Sequence, residues 1–335
     1  MNMKAIFLSN RKEELQRVYA PELLARLTEK TDSPAVFRDK AAILEEPEGF
    51  SEVRYIFSTW GMPEFTEEEI ERCFPNLECV FYSAGTVQKF ARPFLHRGVK
   101  IFSAWRANAI PVAEYTLSQI LLGTKGYFLT AELMSHGHPK PAKALAKHYP
   151  GNFDTPVGII GVGAIGKLVC QMLRSYRIRV LAYDRFLTEE KAAELGVEKS
   201  DIETIFRTCQ VVSNHLANNA GTQGIFRREH FEAMVPYGVF LNTGRGAQVV
   251  EADLAEVLRD RPDLTAVLDV TKPEPPLEDS PFYSLPNCIL TPHIAGSMGR
   301  EVHRMAEWME EEFNAYVSGG VCRYEVTEEM LEDMA

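Results

Sequence analysis

The chain has 335 residues, which is too long for one ordinary hydrophobic core and typical of two domains. Its composition, 45% hydrophobic and 25% charged residues, is that of a soluble globular protein. No stretch approaches the roughly 18 apolar residues that a membrane span requires. The formal net charge of −11 argues against a nucleic-acid partner, because neutralising phosphates requires clustered Lys and Arg.

The cysteines form neither a CxxC pair nor a spacing typical of zinc sites. The apolar run at residues 5–8 is too short for a signal-peptide core and reads better as a first strand. We therefore expect no metal site, a cytoplasmic location, and six free thiols at Cys73, Cys79, Cys170, Cys209, Cys288 and Cys322.

The first hundred residues alternate between two patterns. Short strand-like runs occupy residues 3–8, 53–58, 77–82 and 99–102, and helical patterns occupy 12–29, 66–73 and 87–97. Such an alternation indicates βα units on a parallel sheet.

A long apolar helix is predicted over residues 108–125, with Pro111 in its first turn. Four prolines then interrupt residues 134–156, which predicts a loop or linker with solvated lysines.

A second alternating series starts at Val157. Its apolar segments are VGII, VLAY, VVSNH, GVFLNT, TAVLDV and CILTPH, and an amphipathic helix over 300–317 ends at Gly319-Gly320. The predicted fold class is α/β with two doubly wound parallel-sheet domains. Residues 105–297 would form the nucleotide-binding domain, and residues 1–104 plus 298–335 the other, if the last helix returns to it.

The strongest single motif is GVGAIG, which directly follows the strand-like TPVGII and precedes a helical pattern. Gly161 permits a tight turn, Gly163 lets a pyrophosphate approach the backbone, and Gly166 lets the helix pack closely on the strand. The helix N-terminus then offers free N–H groups to the phosphates of a dinucleotide.

Asp184 ends the next strand-like segment, 18 positions after Gly166. An acid near that distance can bind the adenosine ribose hydroxyls. A carboxylate there would also repel a 2′-phosphate, which favours NAD over NADP. Arg185 weakens that preference, because a guanidinium can accept the phosphate.

Three reactive side chains each follow an apolar strand segment: Arg245, Glu274 and His293. Ligands gather beyond the carboxyl ends of strands in an open parallel sheet, so the three are expected to converge. Arg245 would bind a carboxylate through its planar fork, and His293 would exchange a proton with the reacting oxygen. Glu274 would orient the imidazole. This set suits hydride transfer between a nicotinamide cofactor and a small 2-keto acid.

Two further polar residues leave alternatives open. Asp269 either meets the nicotinamide carboxamide or caps a turn, and His215 is either functional or structural.

Over residues 77–300 the sequence resembles the D-isomer-specific 2-hydroxyacid dehydrogenase family. The resemblance rests on GVGAIG with Asp184 and on NAIPVAEYTLSQILL, LNTGRGAQVVEADL, LDVTKPEP and TPHIAG. It implies a flavodoxin-like substrate domain and a Rossmann domain, a cleft between them that closes on binding, and a homodimer.

The resemblance also implies roles for single residues. Arg245 would bind the substrate carboxylate, His293 would be the acid/base, and Glu274 its partner. The backbone N–H groups of the loop Ser83-Ala84-Gly85-Thr86 would hold the carboxylate as well. Expected cofactor contacts, beside the three motif glycines, are Ala164, Ile165, Asp184, Thr243, Asp269, Ala295 and Gly296.

The sequence departs from the family pattern at Thr86-Val87-Gln88, at residues 216–219, at Thr271-Lys272 and in residues 134–156. These departures do not affect Arg245, Glu274 and His293, but they leave the identity of the substrate undetermined. Trp60, Trp105 and Arg106 either line the substrate pocket or have packing or surface roles. The alternative function is an NAD(H)-sensing binding protein of the corepressor type, which shares this fold.

Overall fold

The computed structural model describes residues 4–332. The chain divides into two compact units. We name the units by their place along the sequence. Residues up to Asn108 together with those from Ser297 onward are the outer unit, and the central residues Ala109–Gly296 are the inner unit. The boundaries lie four residues after and one residue before those predicted.

The described residues form thirteen strands in two sheets. In chain order they are β1 (Ala5–Leu8), β2 (Phe37–Arg38), β3 (Tyr55–Ser58), β4 (Cys79–Tyr82), β5 (Lys100–Ser103), β6 (Pro156–Ile160), β7 (Arg179–Tyr183), β8 (Glu198–Lys199), β9 (Val211–Asn214), β10 (Val239–Asn242), β11 (Thr265–Leu268), β12 (Cys288–Leu290) and β13 (Glu325–Val326).

The same residues form fourteen α-helices. They are α1 (Lys12–Val18), α2 (Pro21–Thr31), α3 (Lys40–Glu45), α4 (Glu67–Cys73), α5 (Ala91–His96), α6 (Trp105–Thr124), α7 (Tyr127–Ser135), α8 (Pro139–Leu145), α9 (Ala164–Leu173), α10 (Glu189–Leu195), α11 (Ile202–Thr208), α12 (Arg228–Glu232), α13 (Glu251–Asp260) and α14 (Glu301–Val317).

The outer unit is built on a sheet with the order β13-β5-β4-β3-β1-β2, in which only β13 pairs antiparallel. The parallel strands therefore follow the order 2-1-3-4-5 of flavodoxin-like folds. Phe7, Phe57, Phe81 and Phe102 lie in register on neighbouring strands and stack with ring centroids 5.0–5.4 Å apart. Helix α14 covers this face with Phe313, which meets Phe57 and Phe81 edge-on.

The inner unit has a seven-stranded parallel sheet with the order β12-β11-β10-β9-β6-β7-β8. Counted from its first strand this is the order 3-2-1-4-5-6 of dinucleotide-binding folds, extended by one strand. Its strands bury apolar residues on both faces, as parallel sheets do. The predicted α/β class with two doubly wound sheets is confirmed.

Two local predictions were wrong. Residues 134–156 are not one loop, because Pro139 and Pro141 fall in the first turn of α8, where a missing N–H costs nothing; only residues 136–138 and 149–155 are irregular. Helix α6 starts at Trp105 instead of 108, which places Pro111 inside the helix instead of in its first turn.

The structure also tests the predictions about membrane spans and cysteines. No helix within residues 4–332 is long and apolar enough to cross a membrane. The six cysteines are free, as predicted, and four of them are buried. Burial raises the pKa of the Cys170 and Cys209 thiols to about 12, so both stay protonated at neutral pH.

Candidate active site

The glycine-rich turn joins β6 to α9 in the inner unit. Gly161 has a φ of +92°, and a Cβ built on it would lie 2.6 Å from the backbone of His215, so only glycine fits. A Cβ on Gly166 would clash with the carbonyl of Gly161. A Cβ on Gly163 would meet nothing within 4 Å, which leaves open space beside the backbone at the start of the helix.

Helix α9 begins at Ala164, and no side chain caps its N-terminus. The first N–H groups of the helix, including those of Ala164 and Ile165, are therefore available to an anion. Asp184 follows β7, and its carboxylate accepts hydrogen bonds from the backbone N–H of Val162 at 2.8 Å and of Phe186 at 2.8 Å. The acid is thus fixed beside the turn, and these residues fit the diphosphate and ribose of a dinucleotide.

The predicted catalytic residues follow three adjacent strands. β10, β11 and β12 are paired in parallel, so their carboxyl ends meet at one edge. Arg245 comes three residues after β10, Glu274 follows β11 and His293 comes three residues after β12. A Cβ on Gly246 would clash with the backbone of Thr271, which shows how closely the first two loops pack.

His293 and Glu274 form the tightest contact at this edge. The imidazole Nδ1 lies 2.5 Å from the Glu274 Oε1, while the Nε2 has no protein partner among the described residues. Both side chains are partly exposed, at 48% and 40%. The carboxylate therefore fixes the ring and leaves Nε2 to exchange a proton with a ligand.

The backbone of His293 is held in the left-handed region, with a φ of +55°. A non-glycine residue pays for that conformation, and Asp269 provides the stabilising contacts. Its carbonyl accepts the His293 N–H, and its carboxylate accepts hydrogen bonds from Thr291, Ile294 and Ala295 at 2.6–2.9 Å. These contacts are those of a turn cap, which is one of the two roles considered for Asp269.

Arg245 is half-buried and forms no ion pair with a carboxylate in residues 4–332. Its Nη1 donates to the Gly244 carbonyl at 2.7 Å. Burial lowers the pKa of the guanidinium, and the carboxylate of Glu274 opposes that effect. A half-buried guanidinium that forms no ion pair within the described residues is suited to an anionic ligand.

His215 is buried between two hydroxyl groups. Its Nε2 lies 2.8 Å from Ser213 Oγ and its Nδ1 lies 3.4 Å from Thr243 Oγ1. Burial lowers the pKa of the imidazole to about 3. The ring is therefore neutral at physiological pH, which fits the structural alternative for His215.

The remaining predicted contacts lie in the same inner unit. Thr243 is buried beside His215, and its hydroxyl is also 3.5 Å from that of Thr116. The Ala295 N–H is occupied by Asp269, and Gly296 is the last residue before the unit boundary.

The predicted carboxylate loop lies in the outer unit, directly after β4. Ser103 donates to the carbonyls of Ala84 and Gly85 at 3.0 and 2.6 Å. The N–H groups of Ala84, Gly85 and Thr86 have no acceptor within the described ranges. The loop therefore presents donors with its carbonyls turned away.

Trp60, Trp105 and Arg106, for which the sequence left two roles open, also belong to the outer unit. Arg106 lies 4.8 Å over the Trp105 ring, and the buried Trp105 Nε1 has no acceptor in the described part of the chain. Trp60 packs against both cores of the unit, and Arg17 lies 5.0 Å over its ring.

Sequence reasoning missed the residues that support these loops. Glu251, at the start of α13, accepts the Lys272 N–H at 2.7 Å and so holds the segment leading to Glu274. Asn214, Asn242 and Gln248 form a buried amide network beneath Arg245. The only signal for the two asparagines is that each ends an apolar strand, in VVSN and VFLN.

Comparison with known proteins gives three concordant findings. Residues 129–295 match the model of the D-isomer specific 2-hydroxyacid dehydrogenase, NAD binding domain. The chain is 31% identical over 212 residues to the (S)-sulfolactate dehydrogenase of Chromohalobacter salexigens, covering 63% of this chain and 67% of that protein. It is 30% identical over 201 residues to the D-3-phosphoglycerate dehydrogenase of Archaeoglobus fulgidus, which covers 60% of this chain.

The fold is similar to that of another dehydrogenase of known structure. The NAD-complexed D-isomer specific 2-hydroxyacid dehydrogenase of Lactobacillus delbrueckii ssp. bulgaricus superimposes with a TM-score of 0.79, over 96% of this chain and all of that one. At 18% identity this likeness shows the fold alone. The match to the Archaeoglobus protein spans only 38% of its length, so its activity does not transfer to this chain by similarity.

Proposed function

Because the chain belongs to the D-isomer specific 2-hydroxyacid dehydrogenase family, we propose that it interconverts a small 2-keto acid and the D-2-hydroxy acid. The observation that carries this proposal is the 2.5 Å contact between His293 and Glu274 at the same sheet edge as Arg245, which forms no ion pair within residues 4–332. An acid/base and a cation are what reduction of a keto acid requires from a protein.

The nucleotide-binding residues support NAD as the cofactor. NADH, when bound, supplies the hydride. The turn at Gly161–Gly166 and the uncapped start of α9 would hold the diphosphate, and Asp184 the ribose. The carboxylate of Asp184 is fixed by two backbone N–H groups, and its charge would oppose the extra phosphate of NADP. We therefore propose a preference for NAD.

Each catalytic side chain has a distinct task in this proposal. The Arg245 fork binds the substrate carboxylate in two parallel hydrogen bonds. His293 Nε2 donates a proton to the developing alkoxide and takes it back in the reverse direction. Glu274 holds Nδ1, so that only Nε2 faces the substrate. In the outer unit, the N–H groups of Ala84, Gly85 and Thr86 are proposed carboxylate donors.

The direct test is NADH oxidation with a panel of 2-keto acids, repeated with NADPH. The panel contains glyoxylate, hydroxypyruvate, pyruvate, phenylpyruvate, 2-ketoisocaproate and oxaloacetate. D-3-phosphoglycerate and (S)-sulfolactate, after which two relatives are named, are tested for oxidation with NAD. Steady turnover with NADH is expected. NADH binding without turnover of any compound would contradict the enzyme proposal and favour the sensor alternative. Turnover only with NADPH would contradict the cofactor proposal.

We also propose that the protein is a homodimer that pairs through α6 and α7. Leu122 and Tyr127 are exposed and line a groove of about 430 Å³, and Met134 of α7 is exposed as well. Apolar side chains on one face are typical of subunit interfaces. Tyr127→Glu should yield monomers in sedimentation velocity. Tyr283→Glu is the control, since Tyr283 is similarly exposed, at 58% against 51% for Tyr127. A dimeric Tyr127→Glu variant would exclude this face.

A further inference from the structure

The three side chains beneath Arg245 form a closed network of amides. Asn214 and Asn242 end neighbouring strands and are paired in register. The Asn214 Nδ2 donates to the Asn242 Oδ1 at 2.9 Å and to the Gln248 Oε1 at 2.7 Å. All three residues have 0% exposure. Buried amides are costly unless every polar atom is paired, so the network has to be complete to be stable.

The network is complete. The Asn214 Oδ1 accepts the Leu216 N–H, and the Asn242 Oδ1 accepts the Gly244 N–H. The Gln248 Nε2 donates to the carbonyls of Leu216 and Ala217 at 2.9 and 3.0 Å. Gln248 is therefore the hub, because its amide bridges the end of β9 to the loop after β10.

Arg245 is the residue that this network fixes most directly. Its N–H donates to the Gln248 Oε1 at 3.1 Å, and its carbonyl accepts the Asn242 Nδ2 at 3.2 Å. A Cβ on Gly244 would lie 2.8 Å from both Asn214 Nδ2 and Gln248 Oε1. The backbone on both sides of the guanidinium is thus clamped by side-chain amides, with no room for a side chain at Gly244.

We propose that Gln248, with Asn214 and Asn242, is a positioning residue that aims Arg245 at the substrate carboxylate. This inference rests on the carboxylate-binding role proposed for Arg245. The three amides are fully buried and so are not exposed to a ligand; their role is to fix the point from which the guanidinium extends. A displacement of about 1 Å at such a group costs up to about 100-fold in rate.

The test uses Gln248→Met, which keeps the volume and removes the amide. We expect kcat/KM for the preferred 2-keto acid to fall about 10- to 100-fold, mainly through KM, with NADH affinity unchanged. Asn214→Leu keeps Gln248 but removes the amide that donates to it and to Asn242, and it serves as the second variant if Gln248→Met does not fold.

Asn287→Leu is the matched control. Asn287 is a buried amide of the same unit, whose Nδ2 donates to three carbonyls at 2.9–3.3 Å. It lies before β12, away from the strand ends that carry the catalytic residues. Its loss should lower stability in urea and leave the keto-acid KM unchanged, which separates positioning from general destabilisation.

A double-mutant cycle identifies the residue through which Gln248 acts. In an Arg245→Lys background, Gln248→Met should cost little more, because the fork it positions is already absent. Additive effects, or an equal loss of NADH affinity, would overturn the inference while leaving the proposed function intact. Failure of the unaltered protein to turn over any 2-keto acid would overturn both.

Discussion

The two units carry similar sheets, one mainly and one wholly parallel, and differ in the side chains aligned along them. In the outer unit, aligned phenylalanines cross four strands in register. In the inner unit, the aligned positions at the carboxyl ends of β9 and β10 are asparagines. The outer loop after β4 presents backbone N–H groups, whereas the inner loops present Arg245, Glu274 and His293.

The aligned side chains of the outer sheet contribute to stability, and those of the inner sheet support the candidate catalytic residues. A stacked aromatic layer needs no polar partners of its own, and the backbone loop after β4 is held by the Ser103 hydroxyl at the carbonyls of Ala84 and Gly85. Side chains that act on a substrate need their own supports, and the inner unit supplies them as buried amides and as the carboxylates of Glu251 and Asp269. Substitutions in the two sheets should therefore have different consequences.

The largest effect is expected from His293→Ala at the inner sheet edge. Loss of the proton donor should lower kcat by about 10²- to 10⁴-fold, and NADH affinity should stay unchanged. Steady-state kinetics and NADH fluorescence titration measure the two quantities. His136→Ala, an exposed histidine of the same unit, is the control. A parallel loss of NADH affinity would show that His293 supports the cofactor and is not the acid/base.

The outer sheet should respond in stability. Phe81 is fully buried, stacks between Phe57 and Phe102, and meets Phe313 edge-on. Phe81→Ala should reduce the free energy of unfolding by about 3–5 kcal/mol. Urea denaturation followed by circular dichroism measures the change.

The control for that substitution is Phe186→Ala, since Phe186 is 58% exposed; its cost should stay within about 0.5 kcal/mol. NADH binding by Phe81→Ala under native conditions should match that of the unaltered protein. A small stability loss would mean that the aromatic layer is replaceable, and the contrast between the two sheets would fail.

The sequence predicted the sheets well because buried parallel strands are short apolar runs, which are visible without knowledge of their neighbours. It also named Arg245, Glu274 and His293, since carboxyl ends of parallel strands share one edge. It failed at Pro139, because proline is read as a breaker although it is favoured at the first helical position.

The supports of the site were beyond a sequence pattern. Gln248 looks like any polar residue after a strand, and its role depends on which carbonyls the fold brings to it. The left-handed backbone of His293 is likewise a product of the contacts of Asp269. Distances such as the 2.5 Å between His293 and Glu274 depend on the conformations of two loops, which the hydrophobic pattern of the sequence does not predict.

The smallest effect concerns the end of the outer unit, which is held by charges instead of aromatic packing. His96 lies 2.8 Å from Glu67 and 3.2 Å from Glu328, and Arg92 contacts Glu328 and Glu332. The carboxylates of Glu67 and Glu328 raise the pKa of His96 above its ordinary value of 6.5. The stabilisation is therefore complete below pH 6.5 and is lost as the pH rises through the higher value in the folded state.

Hydrogen exchange over residues 325–332, corrected for the intrinsic pH dependence, should accelerate across that window in the unaltered protein. The change should be modest, because the pair is solvent-exposed and screened by salt. His96→Gln should exchange at a rate that no longer depends on pH beyond the intrinsic term. The same acceleration in that variant would assign the pH dependence to other groups, and the C-terminal segment would then owe its stability to the buried Leu331 instead of to the histidine.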